Sequence, residues 1–246
     1  PRRWTHRGFA LFDISGFSEE PTEVQVSRRL MLDGALLWAR TVVNGRFASL
    51  LQDSGVQFSR VSTGDGYYLW STRPGALFDA ATFAMMLLTS SYIRVRERWA
   101  REWELRAAFT VGKAVTLPYF GTWTAIEVED APEDAIGPAL NSLARILAHA
   151  KPSQILLGDF QVQDQDYAKC FANPPTLLGF LKSQFPELLG TVTVIPAERL
   201  RVIDKHGDAY HCFNIAGKAY ARDEWHKDVP QEIGVVPDVA RSLDEI

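Results

Sequence analysis

Four polar residues stand where their neighbours predict burial. Asp13 ends the apolar run RGFALFD, Asp65 lies between two glycines in STGDGYYLW, and Asn141 and Arg145 are four apart in the leucine-rich stretch PALNSLARILAHA. A lone buried carboxylate costs on the order of several kcal/mol or shifts its pKa, so Asp13 needs a charge partner, hydrogen-bond donors or a metal. Two carboxylates at one sheet end repel unless cations bridge them, and hard oxygen donors acting on a phosphate-bearing substrate suit Mg²⁺ or Mn²⁺. Two such ions, roughly 3.5 to 4 Å apart, support in-line displacement at phosphorus. Asn141 and Arg145 share a helix face, and a guanidinium on a face that otherwise packs inward needs an anion, for which phosphate is a natural partner. Singly, each has a plainer role: either Asp as a turn or cap residue, Arg145 as a stem laid over apolar neighbours. The chemistry rests on their occurring together.

Periodicity gives the elements that must position them. Residues 8–14 read as a strand, followed by a loop and a long helix that carries Val26, Leu30, Leu37 and Val42 toward a core and Arg28, Arg29 and Asp33 toward water. VQFSRVSTGDGYYLWST predicts a hairpin turning at Asp65. A helix over about residues 75–101 ends in YIRVRERWAREW, read as a solvated basic face above Trp99 and Trp103; the strands ELRAAFTVGKAV and TWTAIEVE come next. DAPEDAIG reads as a turn-rich loop before a helix with Pro138 in its first turn. QILLG is a short strand, residues 160–190 a mixed helical insertion with Phe171 and Phe180 in its core, and TVTVI to DAYHCFNI a final strand group around a KHGD turn.

The order β-α-β-β-α-β with additions predicts an α+β, ferredoxin-like fold bearing extra helices and a C-terminal β-hairpin. Its first strand lies at the sheet centre beside the G-D-G hairpin, so Asp13 and Asp65 converge. Residues 1–228 are expected to form one domain, including the insertion, and residues 229–246 a surface tail.

Bulk properties exclude several classes. With 246 residues, 46% of them hydrophobic, the chain can bury a sizeable core, and its net charge of -4 offers no global basic field for nucleic acid. Any anionic ligand needs a local site. Cys170 and Cys212 lack C-x-x-C spacing, and His6, His149, His206, His211 and His226 show no metal-ligand spacing. A reducing cytosol fits this cysteine usage. The longest uncharged apolar stretch, AATFAMMLLTSSYI, is too short to span a bilayer, so a cytoplasmic protein without direct membrane association is expected. The first residue is Pro rather than Met, which predicts processing or trimming of the N-terminus.

FALFDISGF, STGDGYYLW and LRAAFTVGKAV resemble, in order and spacing, the motifs of the class III nucleotidyl cyclases, and DAIGPALNSLAR resembles their D-x-x-G-x-x-x-N-x-x-x-R signature. The resemblance covers roughly residues 8–160 and the hairpin near residues 200–215. It implies that Asp13, the Ile14 backbone carbonyl and Asp65 bind two divalent ions, Mn²⁺ or Mg²⁺, with Gly16 and Phe17 of the S-G-F turn beside the phosphates. Asn141 would orient the ribose, and Arg145 would stabilise charge on the phosphates. It further implies a homodimer with composite sites, the metal residues from one subunit and the Asn/Arg pair from the other. The reaction implied is attack of the ribose 3′-oxygen on the α-phosphorus with pyrophosphate leaving.

Two departures bear on the substrate. The adenine-reading Lys that the resemblance places four residues before the second metal Asp is Val61 here, although Asp134 matches the second base-reading position. The phosphate-binding Lys expected before the final strand is absent near Tyr210 and His211, leaving Lys205 or Arg60 as replacements. In this the chain is similar to the pyrimidine cyclases of Pycsar anti-phage defence systems, the uridylate type in particular. That likeness implies UTP as substrate and a separate effector activated by cyclic UMP. Asp134 can accept the uracil N3–H or the cytosine amino group, and Tyr67 or Tyr68 can fill the space a purine needs, so UTP and CTP both stay open. An adenylate cyclase and an inactive nucleotide-binding module are the other readings.

Overall fold

The apolar run that ends at Asp13 lies in β1 (Thr5–Ile14), whose alternate residues feed two different cores. Ala10, Phe12 and Ile14 face one side of the sheet and Phe9 and Leu11 the other. A strand buried on both faces has no polar alternation, which is why the run reads as continuously apolar. The computed structural model describes residues 4–51, 55–97, 104–118, 133–162, 165–186, 193–194, 200–204, 206–219 and 231–233.

After β1 come α1 (Thr22–Leu51), β2 (Phe58–Ser62), β3 (Gly66–Ser71), α2 (Ala76–Glu97), β4 (Leu105–Pro118) and β5 (Glu133–Ile136). α3 (Pro138–Ala148), β6 (Ile155–Gly158), α4 (Gln165–Cys170) and α5 (Pro174–Gln184) follow, then β7 (Thr193–Val194), β8 (Leu200–Ile203), β9 (Ala209–Ala219) and β10 (Gln231–Ile233). The sheet order is β10-β9-β6-β4-β1-β3-β2, with β5 paired to β4 and β7 and β8 to β9. Its β4-β1-β3-β2 part is antiparallel, and β6 joins β4 in parallel. The expected ferredoxin-like arrangement is therefore present, with β1 central. α1, α2, α4 and α5 cover one face and α3 the other.

The buried face of α1 differs from the expected one. Leu32, Ala35, Leu36, Ala39, Val43 and Phe47 are buried, whereas Val26, Leu30 and Leu37 are exposed and Val42 is half-buried. The helix has apolar residues all round, so period alone does not choose a face. Packing chose the stripe in which Ala35 and Ala39 bring α1 close to its neighbours. Arg28, expected in water, is buried against Glu20 at 2.8 Å.

Two further expectations are corrected. Part of DAPEDAIG is strand, not loop: Glu133–Ile136 pair with the far end of β4, Asp134 lying opposite Leu117. The apolar part of α2 is also longer than the uncharged run suggested, since Ala76–Ile93 is long and apolar enough to cross a membrane. That helix is the core helix here, with Ala80, Phe83, Met86 and Leu87 fully buried. The expected strand TWTAIEVE, Trp99 and Trp103 lie outside the described residues. The insertion is helical as expected, and Phe171, Leu177 and Leu181 complete the core under α1 and α2, with Phe180 packed at its edge. Within the expected tail, Gln231–Ile233 pair with β9.

Gly66 opens β3 opposite Asp13, and a Cβ there would overlap the Phe12 carbonyl oxygen. Backbone cannot swing aside as a flexible side chain can. Gly66→Ala is therefore expected to lower stability by about 3 kcal/mol or more, seen as a fall in the urea midpoint. An unchanged midpoint would contradict the close approach of β1 and β3.

Candidate active site

Asp13 finds its first partner in Arg106. Asp13 lies opposite Gly66 on β3 and opposite Arg106 on β4, so sheet register brings together residues far apart in sequence. Arg106 donates from Nε to Asp13 Oδ2 at 2.7 Å and from Nη2 to the same oxygen, while its Nη1 donates to the Ala150 carbonyl just beyond α3 at 3.3 Å. The guanidinium thereby ties the end of β1 to the end of α3.

Asp65 comes to the same sheet end. The Ile14 N–H donates to the Asp65 carbonyl at 3.1 Å, and the Ser15 N–H to the Glu104 carbonyl at 2.9 Å. Gly16 then adopts φ +67°, a left-handed conformation that turns the chain into the 3₁₀ segment Phe17–Glu19. Burial raises the Asp13 carboxyl above its ordinary range; Arg106 opposes this and the nearby Asp65 carboxylate adds to it. Two carboxylates thus meet at one sheet end, and one of them is paired with Arg106.

These donors fit a hard divalent ion. Asp13, Asp65 and the Ile14 carbonyl offer oxygen alone, and no group of three or more His, Cys, Asp or Glu residues that could hold a metal is found among the described residues. Mg²⁺ and Mn²⁺ commonly take one or two carboxylates and complete their shells with phosphate and water. Arg106 is the site residue that sequence reading missed. An Arg opening a strand reads as a solvent-facing end; only the β1–β4 register shows that it meets Asp13.

The Asn/Arg pair lies elsewhere. Asn141 is exposed on α3, and Arg145 Nε lies 3.4 Å from Asp204 Oδ2, at the end of β8. Asp204 Oδ1 accepts the N–H groups of His206 and Asp208 at 2.8 and 3.1 Å. Burial works against it, but those two N–H donors and the Arg145 charge hold the Asp204 carboxyl below its ordinary range. The β8–β9 turn therefore fixes Arg145. Asp204 too was missed, since it immediately precedes KHGD, which reads only as a turn; Lys205 lies outside the described residues.

The base-reading candidates divide between the two sheet faces. Val61 lies opposite Tyr68, and both pack on the α3 side, the side of Asp13. β5, carrying Asp134, also lies alongside β2. One Asp134 oxygen accepts the following N–H, of Ala135, at 2.7 Å. Tyr67 belongs to the opposite face, where its hydroxyl donates to Asp33 of α1 at 2.6 Å. Of the two tyrosines, Tyr68 alone stands beside Val61. Arg60 pairs with Asp33.

Register separates the halves within one chain. Asp13 is level with Arg106, whereas β6 and β9 carry the β8–β9 turn toward the other end of β4, near Gly112. Asp13 lies on β1, whereas Asp204 follows β8, which pairs with the edge of β9 facing away from β6. Within one chain Arg145 is paired with Asp204, and among the described residues no ion pair or hydrogen bond joins it to Asp13 or Asp65.

No family model matches the sequence, and no curated protein sequence matches it. The fold is similar to that of the adenylyl cyclase CyaB from P. aeruginosa, at 14% identity and a TM-score of 0.51, over 90% of this chain and 98% of that one. It is also similar to the guanylate cyclase domain of RhGC from Catenaria anguillulae, in a crystal structure in complex with GTP. There the identity is 12% and the TM-score 0.50, over 90% of this chain and 100% of that one. The architecture is thus the class III cyclase-like α+β fold, a mostly antiparallel sheet flanked by helices.

Proposed function

We propose that this protein is a nucleotidyl cyclase that converts UTP to 3′,5′-cyclic UMP and pyrophosphate. The observation that carries the reading is the convergence of Asp13 and Asp65 at adjacent strand ends, with Arg106 on Asp13. In this reading it works in the cytoplasm as a homodimer, without nucleic acid or membrane, and its product acts on a separate effector in anti-phage defence.

Two Mn²⁺ or Mg²⁺ ions held by Asp13, Asp65 and the Ile14 carbonyl would neutralise phosphate charge and activate the ribose 3′-hydroxyl. Gly16 and Phe17 shape the turn beside the triphosphate, and Arg106 adds a cation where a phosphate oxygen can replace or share its carboxylate partner. Asn141 of the second subunit orients the ribose; Arg145 stabilises charge as the 3′-O–P bond forms and the bond to pyrophosphate breaks. The separation of the two halves supports a composite site.

For the base, Val61 offers no hydrogen bond where a purine reader would need one, and Tyr68 beside it supplies bulk. Asp134 accepts the uracil N3–H. Incubating purified protein with ATP, GTP, CTP or UTP and Mn²⁺, and weighing the products, is expected to give cyclic UMP, with ATP and GTP slower by at least about tenfold. Preference for ATP would overturn the pyrimidine reading, cyclic CMP as main product the choice of uracil, and no product from any nucleotide the enzyme itself.

A further inference from the structure

Two successive arginines of α1 serve the two loops that carry the carboxylates. Arg28 holds Glu20, in the segment that follows Asp13 and the Gly16 turn. Arg29 reaches the other loop. Its Nη1 donates to the carbonyls of Gly64 and Gly66 at 2.7 and 3.0 Å, and its Nη2 to Ser62 Oγ at 2.9 Å. The acceptors bracket Asp65 on both sides.

Apart from one bond to β1, the turn's other bonds are local. Gly64 has φ +96° and glycines flank Asp65; besides the Arg29 fork the turn has bonds from Thr63 N–H to Gly66 O, from Gly64 N–H to Ser62 Oγ, from Thr63 Oγ1 to Asp65 Oδ1 at 3.4 Å, and from Ile14 N–H of β1 to the Asp65 carbonyl. A glycine-flanked turn loses much conformational freedom when ordered, and a planar fork of fixed donors can offset that. The fork is itself held flat: the Arg29 guanidinium stacks 3.6 Å from the Tyr67 ring centroid, and the Tyr67 hydroxyl is anchored on Asp33, one helical turn along α1. α1 thus supplies both the clamp and the anchor of the ring on which it rests.

We propose that Arg29 is a positioning residue for the metal half-site, holding the Asp65 turn in the conformation that aims its carboxylate at the space shared with Asp13. The proposal rests on the reading of Asp65 as a ligand. Arg29 touches neither carboxylate and acts through the backbone. It also lines the groove beside Phe17 with Val26 and Leu30.

The test is Mn²⁺ binding by the full chain, followed by the electron paramagnetic resonance of free Mn²⁺ with 3′-deoxy-UTP present, alongside thermal melting without metal. Arg29→Ala is expected to weaken Mn²⁺ binding by about 10- to 100-fold with a melting temperature near that of the wild type. Arg29→Lys, which keeps the charge but cannot span three acceptors, is expected to behave nearly as Arg29→Ala, and it carries the test alone if the alanine variant fails to fold. Mn²⁺ affinity within about twofold of wild type in the folded variants overturns the proposal, whatever happens to melting. Asp65→Asn distinguishes the premise: wild-type Mn²⁺ affinity in that variant removes the ligand role of Asp65, and the positioning role of Arg29 with it.

Discussion

Asp65→Ala and Arg145→Ala chains are each expected to be inactive alone and to recover activity when mixed. Each substitution removes charge stabilisation from the phosphates, an effect of about 10²- to 10³-fold for one well-placed group. In a mixed dimer one composite site carries both substitutions and the other carries neither. Random exchange makes half of the dimers mixed, each with one intact site, so recovery approaches about one quarter of the wild-type rate. The geometry behind this is that Arg145 is fixed on Asp204 by the β8–β9 turn and pairs with neither Asp13 nor Asp65 within its own chain. Stable mixed dimers without recovery would overturn the shared-site arrangement. Full activity of either variant alone would remove that residue from the site.

Which parts of this arrangement were legible in the sequence follows from how local each cause is. Asp13 and the G-D-G turn announce themselves because each breaks the pattern of its own segment, and the β-α-β-β-α-β order then brings them together. Pro138 at the first turn and the four-residue spacing of Asn141 and Arg145 are equally local. Arg106 and Asp204 were not legible, because each takes its meaning from a partner that only sheet register or hairpin closure supplies. β5 failed for the same reason: Glu133–Ile136 have turn-forming neighbours, and pairing with β4 makes them a strand. On α1 the error was the choice between faces. Arg28 and Arg29 read as solvated, yet one is buried on Glu20 and the other grips the Asp65 turn, both partners lying outside the helix.

The largest expected effect on stability comes from a carboxyl group that no chemistry uses. Asp79 of α2 is buried, accepting from the Tyr167 hydroxyl of α4 and the Gly8 N–H, with Arg7 nearby. Burial pushes its pKa up to about 7, against its hydrogen bonds and the Arg7 charge, from an ordinary value of 3.8. Between those values the folded chain holds a proton that the unfolded chain has lost, so stability falls as pH rises through that window and the loss is complete above about pH 7. The contribution is about 4 kcal/mol in total, since each unit of pKa difference corresponds to about 1.4 kcal/mol. Asp79→Asn, which stays neutral and can still accept from Tyr167, should lack this slope. Urea unfolding at pH 4 to 8 is expected to show the variant gaining on the wild type as pH rises to about 7 and levelling off above it, the gap closing toward pH 4. Parallel profiles for the two proteins would mean that Asp79 is ionised in the folded chain and that Arg7 and Tyr167 compensate its burial in full. A gap that widened toward low pH would reverse the sign and assign Asp79 a lowered pKa, as a true ion-pair partner of Arg7.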